Sequence, residues 1–180
     1  MPLLDKKDRI FGGLSSRSRI ALSLLEKINL IEKTLWANEF SYPQLKKLAA
    51  CVDVHKVSKE TLLFYEGDKT GYLVLIVTGK VHVVKFNSQN KPKHIATLGP
   101  GKTIGEMTLF DGEARSASAI TATDVTLIVM TVEHFNRLVK EWPGVAIILV
   151  LKIAKLMSQY LRQTSGRLID YVSDDHQNSD

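Results

Sequence analysis

Residues 71–86, GYLVLIVTGKVHVVKF, place the strongest constraint on the fold of this chain. A run of β-branched and apolar residues up to Val77 is followed by Thr78 and Gly79, and a second such run ends at Phe86. This pattern is typical of two antiparallel strands joined by a tight turn. Because an isolated hairpin is only marginally stable in water, further strands must pack with it.

Further strand signals follow at short spacing. KHIATL, SASAI and DVTLIVMT have strand character, and they are separated by the polar loop NSQNKP and by glycine-containing segments such as GPGK. Several short strands at this spacing indicate a β-sandwich or β-roll. We therefore expect a mainly β fold with flanking helices, in which the strands form an antiparallel, jelly-roll-like β-roll.

Helices are predicted before the strands. Residues 16–38 carry apolar side chains at helical spacing, at Ile20, Leu24, Ile28, Ile31 and Leu35. A second helix is expected over residues 42–51, with Ser41 as N-cap and Pro43 in the first turn.

A long C-terminal helix is predicted from Pro143 to about Tyr171, with Gly166 as a position where it ends or bends. Its heptad seam consists of Ile147, Val150, Ala154, Met157, Leu161, Thr164, Leu168 and Tyr171. Other apolar residues, such as Leu149 and Ile153, form a second face that can cover the β-roll. The seam then predicts a homodimer, although burial within the same domain explains the first half of the helix equally well.

Three segments follow from these patterns: an N-terminal helical segment at 1–41, a domain at 42–172 that includes the dimerisation helix, and a disordered tail at 173–180. The 180 residues are 44% hydrophobic and 24% charged, which is typical of a soluble globular protein. We expect a cytoplasmic protein, because neither a secretory signal nor a membrane-spanning run is recognisable and Cys51 is the only cysteine. The net charge of +5 is spread along the chain without a nucleic-acid-binding stripe.

The segment IGEMTLFDGEARSAS, residues 104–118, contains most of the candidate ligand-binding residues. Arg115 can donate two parallel hydrogen bonds to a phosphate, and Gly105 permits a close approach to the free amides of a short helix. Glu106, an acceptor when ionised, suits a sugar hydroxyl. The simpler alternative is a structural salt bridge between Glu106 and Arg115.

These residues resemble the phosphate-binding cassette of the cyclic nucleotide-binding domain family. The matching positions are Gly105, Glu106, Leu109, Arg115, Ser116 and Ala117, and the spacing from Glu106 to Arg115 is unbroken. YEGD, at residues 65–68, resembles the Gly-Asp turn of the family. The family commonly has a smaller residue at the position of Thr108, and often proline at that of Ala114. The resemblance implies an antiparallel β-roll with N-terminal helices and a long C-terminal helix.

The resemblance also implies roles for single residues. Glu106 would accept the ribose 2′-hydroxyl, Arg115 would neutralise the cyclic phosphate, and Ser116 would add a hydroxyl contact. The amides near Met107 and Thr108 would complete the phosphate site.

The C-terminal helix would cover the base. LRQTSG resembles the segment of bacterial activators in this family that meets adenine across the dimer, which places Thr164 and Ser165 at the base. Thr164 is also the polar residue of the heptad seam. Cyclic AMP is therefore the expected ligand, while cyclic GMP or a cyclic dinucleotide stays open because the hydroxyl of Ser116 suits a guanine as well.

The expected function is that of a stand-alone receptor that changes conformation on ligand binding and regulates a separate, unknown protein effector. No enzyme, metal or cofactor is expected, because the five histidines are dispersed and no nucleophile, histidine and acid motif is recognisable. We expect no direct binding to DNA or membranes, since only a short polar tail follows the long helix. The alternatives are a ligand-free dimerising scaffold and the sensor part of a longer regulator or channel.

Overall fold

We describe a computed structural model of the chain. It describes residue 14, residues 16–87 and residues 91–177, with the side chains of residue 16 and of residues 166–177 outside the description. Residues 1–13 of the predicted N-terminal segment and residues 178–180 of the predicted tail therefore lie outside the described residues.

Nine strands form two antiparallel sheets in the described part of the chain, which confirms the predicted β-roll. The first sheet has the order β1-β2-β9-β4-β7, with β1 Arg19–Ile20, β2 Asp53–Val57, β9 Val125–Thr131, β4 Tyr72–Thr78 and β7 Thr103–Ile104. The second has the order β3-β8-β5-β6, with β3 Leu62–Phe64, β8 Ser118–Thr121, β5 Val81–Phe86 and β6 Pro92–Leu98.

The predicted hairpin over residues 71–86 is wrong in its pairing. Both strands exist, but β4 pairs with β7 and β9, whereas β5 pairs with β6 and β8 in the other sheet. The turn between them carries Gly79 in the left-handed region at φ 84°, where a Cβ atom would collide with the carbonyl oxygen of Asp124. The turn therefore passes the chain from one sheet to the other.

Strand β4 is buried on both faces, which explains its continuous apolar sequence. Leu73, Leu75 and Val77 belong to the core between the first sheet and the helices. Val74 and Ile76 belong to the core that contains residues of both sheets. One strand thus joins the two hydrophobic cores, as the alternation of side chains along a strand requires.

The predicted helix over residues 16–38 is wrong at both ends. The structure has a short 3-10 turn at Ser16–Ser18, strand β1, helix α1 at Leu24–Glu32 and a second 3-10 turn at Ala37–Glu39. Ser23 caps α1 with a reciprocal bond to Glu26, so the helix begins there and not earlier. Ile28 and Ile31 are buried as predicted, but Leu35 is 76% exposed.

Helix α2, Tyr42–Ala50, follows the prediction closely, and Ser41 with Gln44 forms its capping box. Strands β2, β3 and β7 lie outside the predicted strands. Helix α4, Val132–Glu141, was also not predicted; Thr131 caps it by accepting a hydrogen bond from the His134 amide.

The C-terminal helix α5 spans Pro143–Gln177 and has two different faces. Val145, Ala146, Leu149 and Ile153 are buried in the core shared with the first sheet and the other helices. The predicted seam is exposed in part, since Ile147 and Leu161 are 59% and 69% exposed whereas Met157 packs partly buried against the core. The helix runs through Gly166 and past Tyr171, and the side chains of the last two seam positions, Leu168 and Tyr171, lie outside the described residues.

Within the described residues, Pro143–Ser165 is also long and apolar enough to cross a membrane by length and composition, with 22% of its apolar window buried. A core helix of a water-soluble protein passes the same test.

Candidate functional site

The segment with the predicted site residues connects β7 to β8 through a short helix, α3, at Glu106–Asp111. Gly105 and Gly112 stand at its two ends, both in the left-handed region. At Gly105 a Cβ atom would collide with Nη1 of Arg115 and would lie 2.8 Å from the carbonyl oxygen of Tyr72. Glycine is therefore required at position 105 both for its backbone conformation and for the position of Arg115.

Arg115 is the most constrained charged side chain of the site, with 2% of its surface exposed. Its Nη1 donates to the carbonyl oxygen of Gly105 at 2.9 Å, and its Nη2 donates to that of Tyr72 at 2.8 Å. The guanidinium carbon lies 4.1 Å from the ring centre of Phe64 and 4.4 Å from that of Tyr72. These contacts leave the Nε–H without a hydrogen-bond partner, and each terminal nitrogen uses one of its two N–H groups for a backbone carbonyl.

The backbone of Arg115 is tied to the YEGD turn that the sequence singled out. The Arg115 amide donates to the carbonyl oxygen of Asp68 at 2.8 Å, and the Gly67 amide donates to that of Arg115 at 2.9 Å. Asp68 in turn accepts from the Tyr65 amide at 2.8 Å, which fixes the turn. The YEGD turn therefore holds Arg115 in place through its backbone.

Glu106 lies in the same site, but its Oε2 atom is buried and has no hydrogen-bond partner. Glu106 and Arg115 form no ion pair among the described residues, so the structural salt bridge of the alternative reading does not form. Burial raises the pKa of Glu106, and its own backbone amide and the charge of Arg115 oppose this effect only in part. One oxygen of the Glu106 carboxylate is therefore buried without a hydrogen-bond partner among the described residues.

Two hydroxyl groups that sequence reasoning missed complete the site. Thr103 Oγ1 and Tyr160 Oη are both buried without a hydrogen-bond partner. Burial raises the pKa of Tyr160 and the nearby carboxylate of Glu106 raises it further, whereas contacts of the phenol with the backbone and the hydroxyl of Thr103 lower it. A sequence signal for Tyr160 does exist, because it precedes Thr164 by one helical turn and so lies on the same face of α5.

All four polar groups line one cavity of about 670 Å³, which is within the range of small-molecule sites. The cavity is bounded by β6, β7, α3, residues 115–117 before β8, and α5. Of the predicted site residues, it is lined by Gly105, Glu106, Met107, Thr108, Arg115, Ser116 and Thr164. Ser165 does not line it.

Three of the predicted residues have local partners that modify their expected roles. Ser116 is exposed, and its hydroxyl lies 3.8 Å from the sulfur atom of Met107. Thr164 donates to the carbonyl oxygen of Tyr160 at 2.9 Å, and it lines the cavity of its own chain. The assignment of these side chains to ligand contacts stays a prediction.

Comparisons with known proteins agree with this geometry. The family model for the cyclic nucleotide-binding domain matches residues 54–141. The Cyclic AMP receptor protein of Thermus thermophilus is 35% identical over 106 residues, which cover 59% of this chain and 47% of that protein. The chain thus spans about half the length of this curated relative.

Two solved structures share the fold. A cyclic nucleotide-binding domain from Methylobacillus flagellatus has a TM-score of 0.73 and 25% identity, and the match covers 85% of this chain and 89% of that one. The Catabolite Activator Protein of Thermus thermophilus has a TM-score of 0.64 and 28% identity, with 77% and 62% covered.

The unpartnered charge of Glu106 predicts an effect on stability. Because burial raises its pKa, the cost of burying the charge is present above that raised value and is lost as the pH falls towards 4.5. We expect Glu106→Gln to raise the free energy of unfolding without ligand by about 1 kcal/mol at neutral pH. The difference from the wild type should shrink towards about pH 4.5.

Urea unfolding of both proteins across this pH range measures the effect. Glu113→Gln, at an exposed loop position, serves as the matched control and should leave the stability unchanged. A Glu106→Gln protein that is less stable than the wild type at neutral pH would show that the carboxylate has a stabilising partner.

Proposed function

Because this chain belongs to the cyclic nucleotide-binding domain family, we propose that it is a receptor for cyclic AMP that changes conformation on binding and thereby regulates a separate protein. The proposal rests on one observation: four residues that line a single cavity each bury a polar atom that makes no well-formed hydrogen bond within the described chain. These atoms are the Nε of Arg115, a carboxylate oxygen of Glu106 and the hydroxyls of Thr103 and Tyr160.

These groups match the chemistry of a cyclic nucleotide. An unpartnered buried polar group costs about 1–3 kcal/mol, and more when it is charged. A phosphate would accept from Arg115 in a bidentate geometry, and a ribose hydroxyl would donate to Glu106. A ligand with both groups would therefore recover several of these costs at once.

The phosphate end of the site is preorganised. Two backbone carbonyls and two aromatic rings fix the guanidinium before any ligand arrives, so little side-chain entropy remains to be lost on binding. The amides of the first turn of α3, near Met107 and Thr108, would add donors to the phosphate. Ser116 would contribute its hydroxyl after turning away from Met107.

The sugar and the base would be covered by α5. Tyr160, Gln163 and Thr164 of this helix line the cavity, so the helix forms one of its walls. A ligand that contacts both α3 and α5 would bind more tightly to a conformation in which the two helices are close than to one in which they are apart. This difference in affinity would shift the equilibrium towards the closed conformation. Thr164 would contact adenine, and Ser165, outside the cavity of its own chain, would reach a base only from a second copy.

The same helix supports a homodimer. Ile147, Val150 and Leu161 of the seam are exposed, and a stripe of large apolar side chains on a helix is typical of a helix–helix interface. We propose that a second copy covers this stripe and that the protein works in the cytoplasm, without direct contact to DNA or a membrane.

The domain boundaries that go with this function are also a proposal. Residues 42–172 would form the ligand-binding and dimerising unit, residues 1–41 an N-terminal helical segment, and residues 173–180 a tail. A regulatory and not a catalytic role fits the family. A ligand-free scaffold explains the dimer stripe but gives no reason for four costly buried groups in one cavity.

The phosphate contact can be tested by titration calorimetry with cyclic AMP, cyclic GMP and cyclic di-GMP. We expect cyclic AMP to bind most tightly and Arg115→Ala to lose about 2–5 kcal/mol of binding free energy, because a buried charge loses its partner. Arg115→Lys keeps the charge but loses the planar geometry, and it should also bind more weakly.

Arg137→Ala is the control, since Arg137 also donates to a backbone carbonyl but does not line the cavity. Its affinity for cyclic AMP should match that of the wild type. Unchanged affinity in a folded Arg115→Lys protein, or the absence of heat with all three nucleotides, would overturn the proposal.

The sugar contact can be tested with Tyr160→Phe and 2′-deoxy cyclic AMP. Because Tyr160 and Glu106 would share the 2′-hydroxyl, removing either the phenol or the 2′-hydroxyl should cost about 1 kcal/mol, and removing both should cost less than the sum. Calorimetry of the four combinations gives the coupling energy. Strict additivity would show that Tyr160 does not act on the ribose.

The dimer can be tested by sedimentation in detergent-free buffer. We expect the wild type at twice the chain mass, and Leu161→Glu at the chain mass, because a charge would enter the apolar seam. Leu35→Glu, which changes another exposed leucine outside α5, should sediment as the wild type does. A monomeric wild type, or one that requires detergent, would contradict the dimer.

A further inference from the structure

A second cavity, of about 470 Å³, lies beside the first. Its lining is rich in lysine, with four such residues, whereas the first cavity is lined by one lysine. The walls of the second cavity come from the segment between α1 and the following 3-10 turn, from the turn between β6 and β7, and from α5. The lysines are Lys33, Lys102, Lys152 and Lys155, and the acid among the lining residues is Glu39. We call this cavity the lysine cleft.

The charge of the cleft is not balanced within the described residues. Lys152 is paired with Glu39, with Nζ 2.8 Å from Oε1. The hydrogen bond from Lys152 and its charge, with a smaller effect from the charge of Lys155, hold the pKa of Glu39 below its usual value. Lys33, Lys102 and Lys155 have no ion pair with any described residue.

The backbone segments that form two walls of the lysine cleft are held in place by hydrogen bonds. The indole of Trp36 is 3% exposed, and its Nε1 donates to the carbonyl oxygen of Gly101 at 3.2 Å. Gly101 in turn donates its amide to the carbonyl oxygen of Ile76 on β4 at 2.8 Å. Two of the wall segments are therefore fastened to each other and to the first sheet, and the lysines line the cavity that these segments form with α5.

We propose that the lysine cleft binds a small anion with two or more phosphate groups, separately from the cyclic nucleotide cavity. Lysine is a common phosphate ligand that acts as a point charge, and several unpaired lysines in one cavity match several phosphate groups. The concave shape and small volume favour a small molecule over a protein segment. Lys102 lines both cavities, and its ammonium lies 5.8 Å from the ring centre of Tyr160. Lys33, Lys152 and Lys155 line only the lysine cleft, so the proposal does not depend on the proposed function.

Titration calorimetry with inorganic tripolyphosphate tests the cleft. We expect saturable binding to the wild type that weakens as salt is raised, since the contacts are charge pairs at a partly exposed site. The double variant Lys33→Ala/Lys155→Ala should weaken it by at least about tenfold. The matched control is Lys46→Ala/Lys47→Ala, which removes the same charge from α2 outside the cleft, and it should change the affinity by less than about twofold.

Two further measurements separate the outcomes. Cyclic AMP titrated into Lys33→Ala/Lys155→Ala should bind as it does to the wild type, which keeps this test independent of the first cavity. A hexaglutamate peptide should bind more weakly than tripolyphosphate. The absence of saturable tripolyphosphate binding, an equal loss in both double variants, or tighter binding of hexaglutamate would each overturn the proposal.

Discussion

The guanidinium of Arg115 organises the candidate site, because several otherwise separate elements meet at this one side chain. It donates to carbonyl oxygens of β4 and of the glycine before α3, and it packs in the corner formed by the rings of Phe64 and Tyr72. Burial lowers its pKa from the ordinary value, but an arginine so close to two carbonyls and two ring faces stays charged. A fixed positive charge with little solvent exposure attracts an anion more strongly than a charge in bulk water does. Gly105 makes this possible, since any side chain at that position would occupy the space of the guanidinium.

The sequence predicted the strands better than their partners. The apolar run of β4 was recognisable, but adjacency in sequence suggested pairing with β5, whereas a chain turn at Gly79 places them in different sheets. Pairing of β2 with β9 joins segments far apart in the chain, and no local pattern records it. Residues 16–38 show the opposite failure: their helical periodicity is real at Ile28 and Ile31, but the capping box at Ser23 and the pairing of β1 with β2 override it at the N-terminal end. Local sequence patterns were therefore enough to predict whether a segment is a helix or a strand. Its first and last residues and its pairing partners depend on tertiary contacts.

In the candidate site, too, local sequence patterns predicted some residues, while others could be found only from the tertiary structure. Glu106 and Arg115 were predictable because the cassette lies within one short segment, and the structure brings both to one cavity. Thr103 and Tyr160 were missed because the fold, and not the spacing, brings α5 against β7 and α3. The state of Glu106 was also not predictable: the sequence allowed a salt bridge with Arg115, and only the geometry shows an unpartnered carboxylate. An acid and an arginine that line one cavity without forming an ion pair leave a buried polar atom on each side chain without a hydrogen-bond partner, which lowers the stability of the protein.

Helix α5 connects these features mechanically. Its N-terminal half is anchored in the core through Leu149 and Ile153, while Tyr160 and Thr164, further along, line the cavity. The exposed seam runs along the same helix, so one continuous element carries the anchor, the cavity wall and the proposed dimer surface. A helix transmits a change of orientation over its whole length, because its backbone hydrogen bonds resist bending. A ligand that repositions α5 at Tyr160 would therefore reorient the seam beyond it, and a second copy or another protein bound there would respond without contacting the ligand.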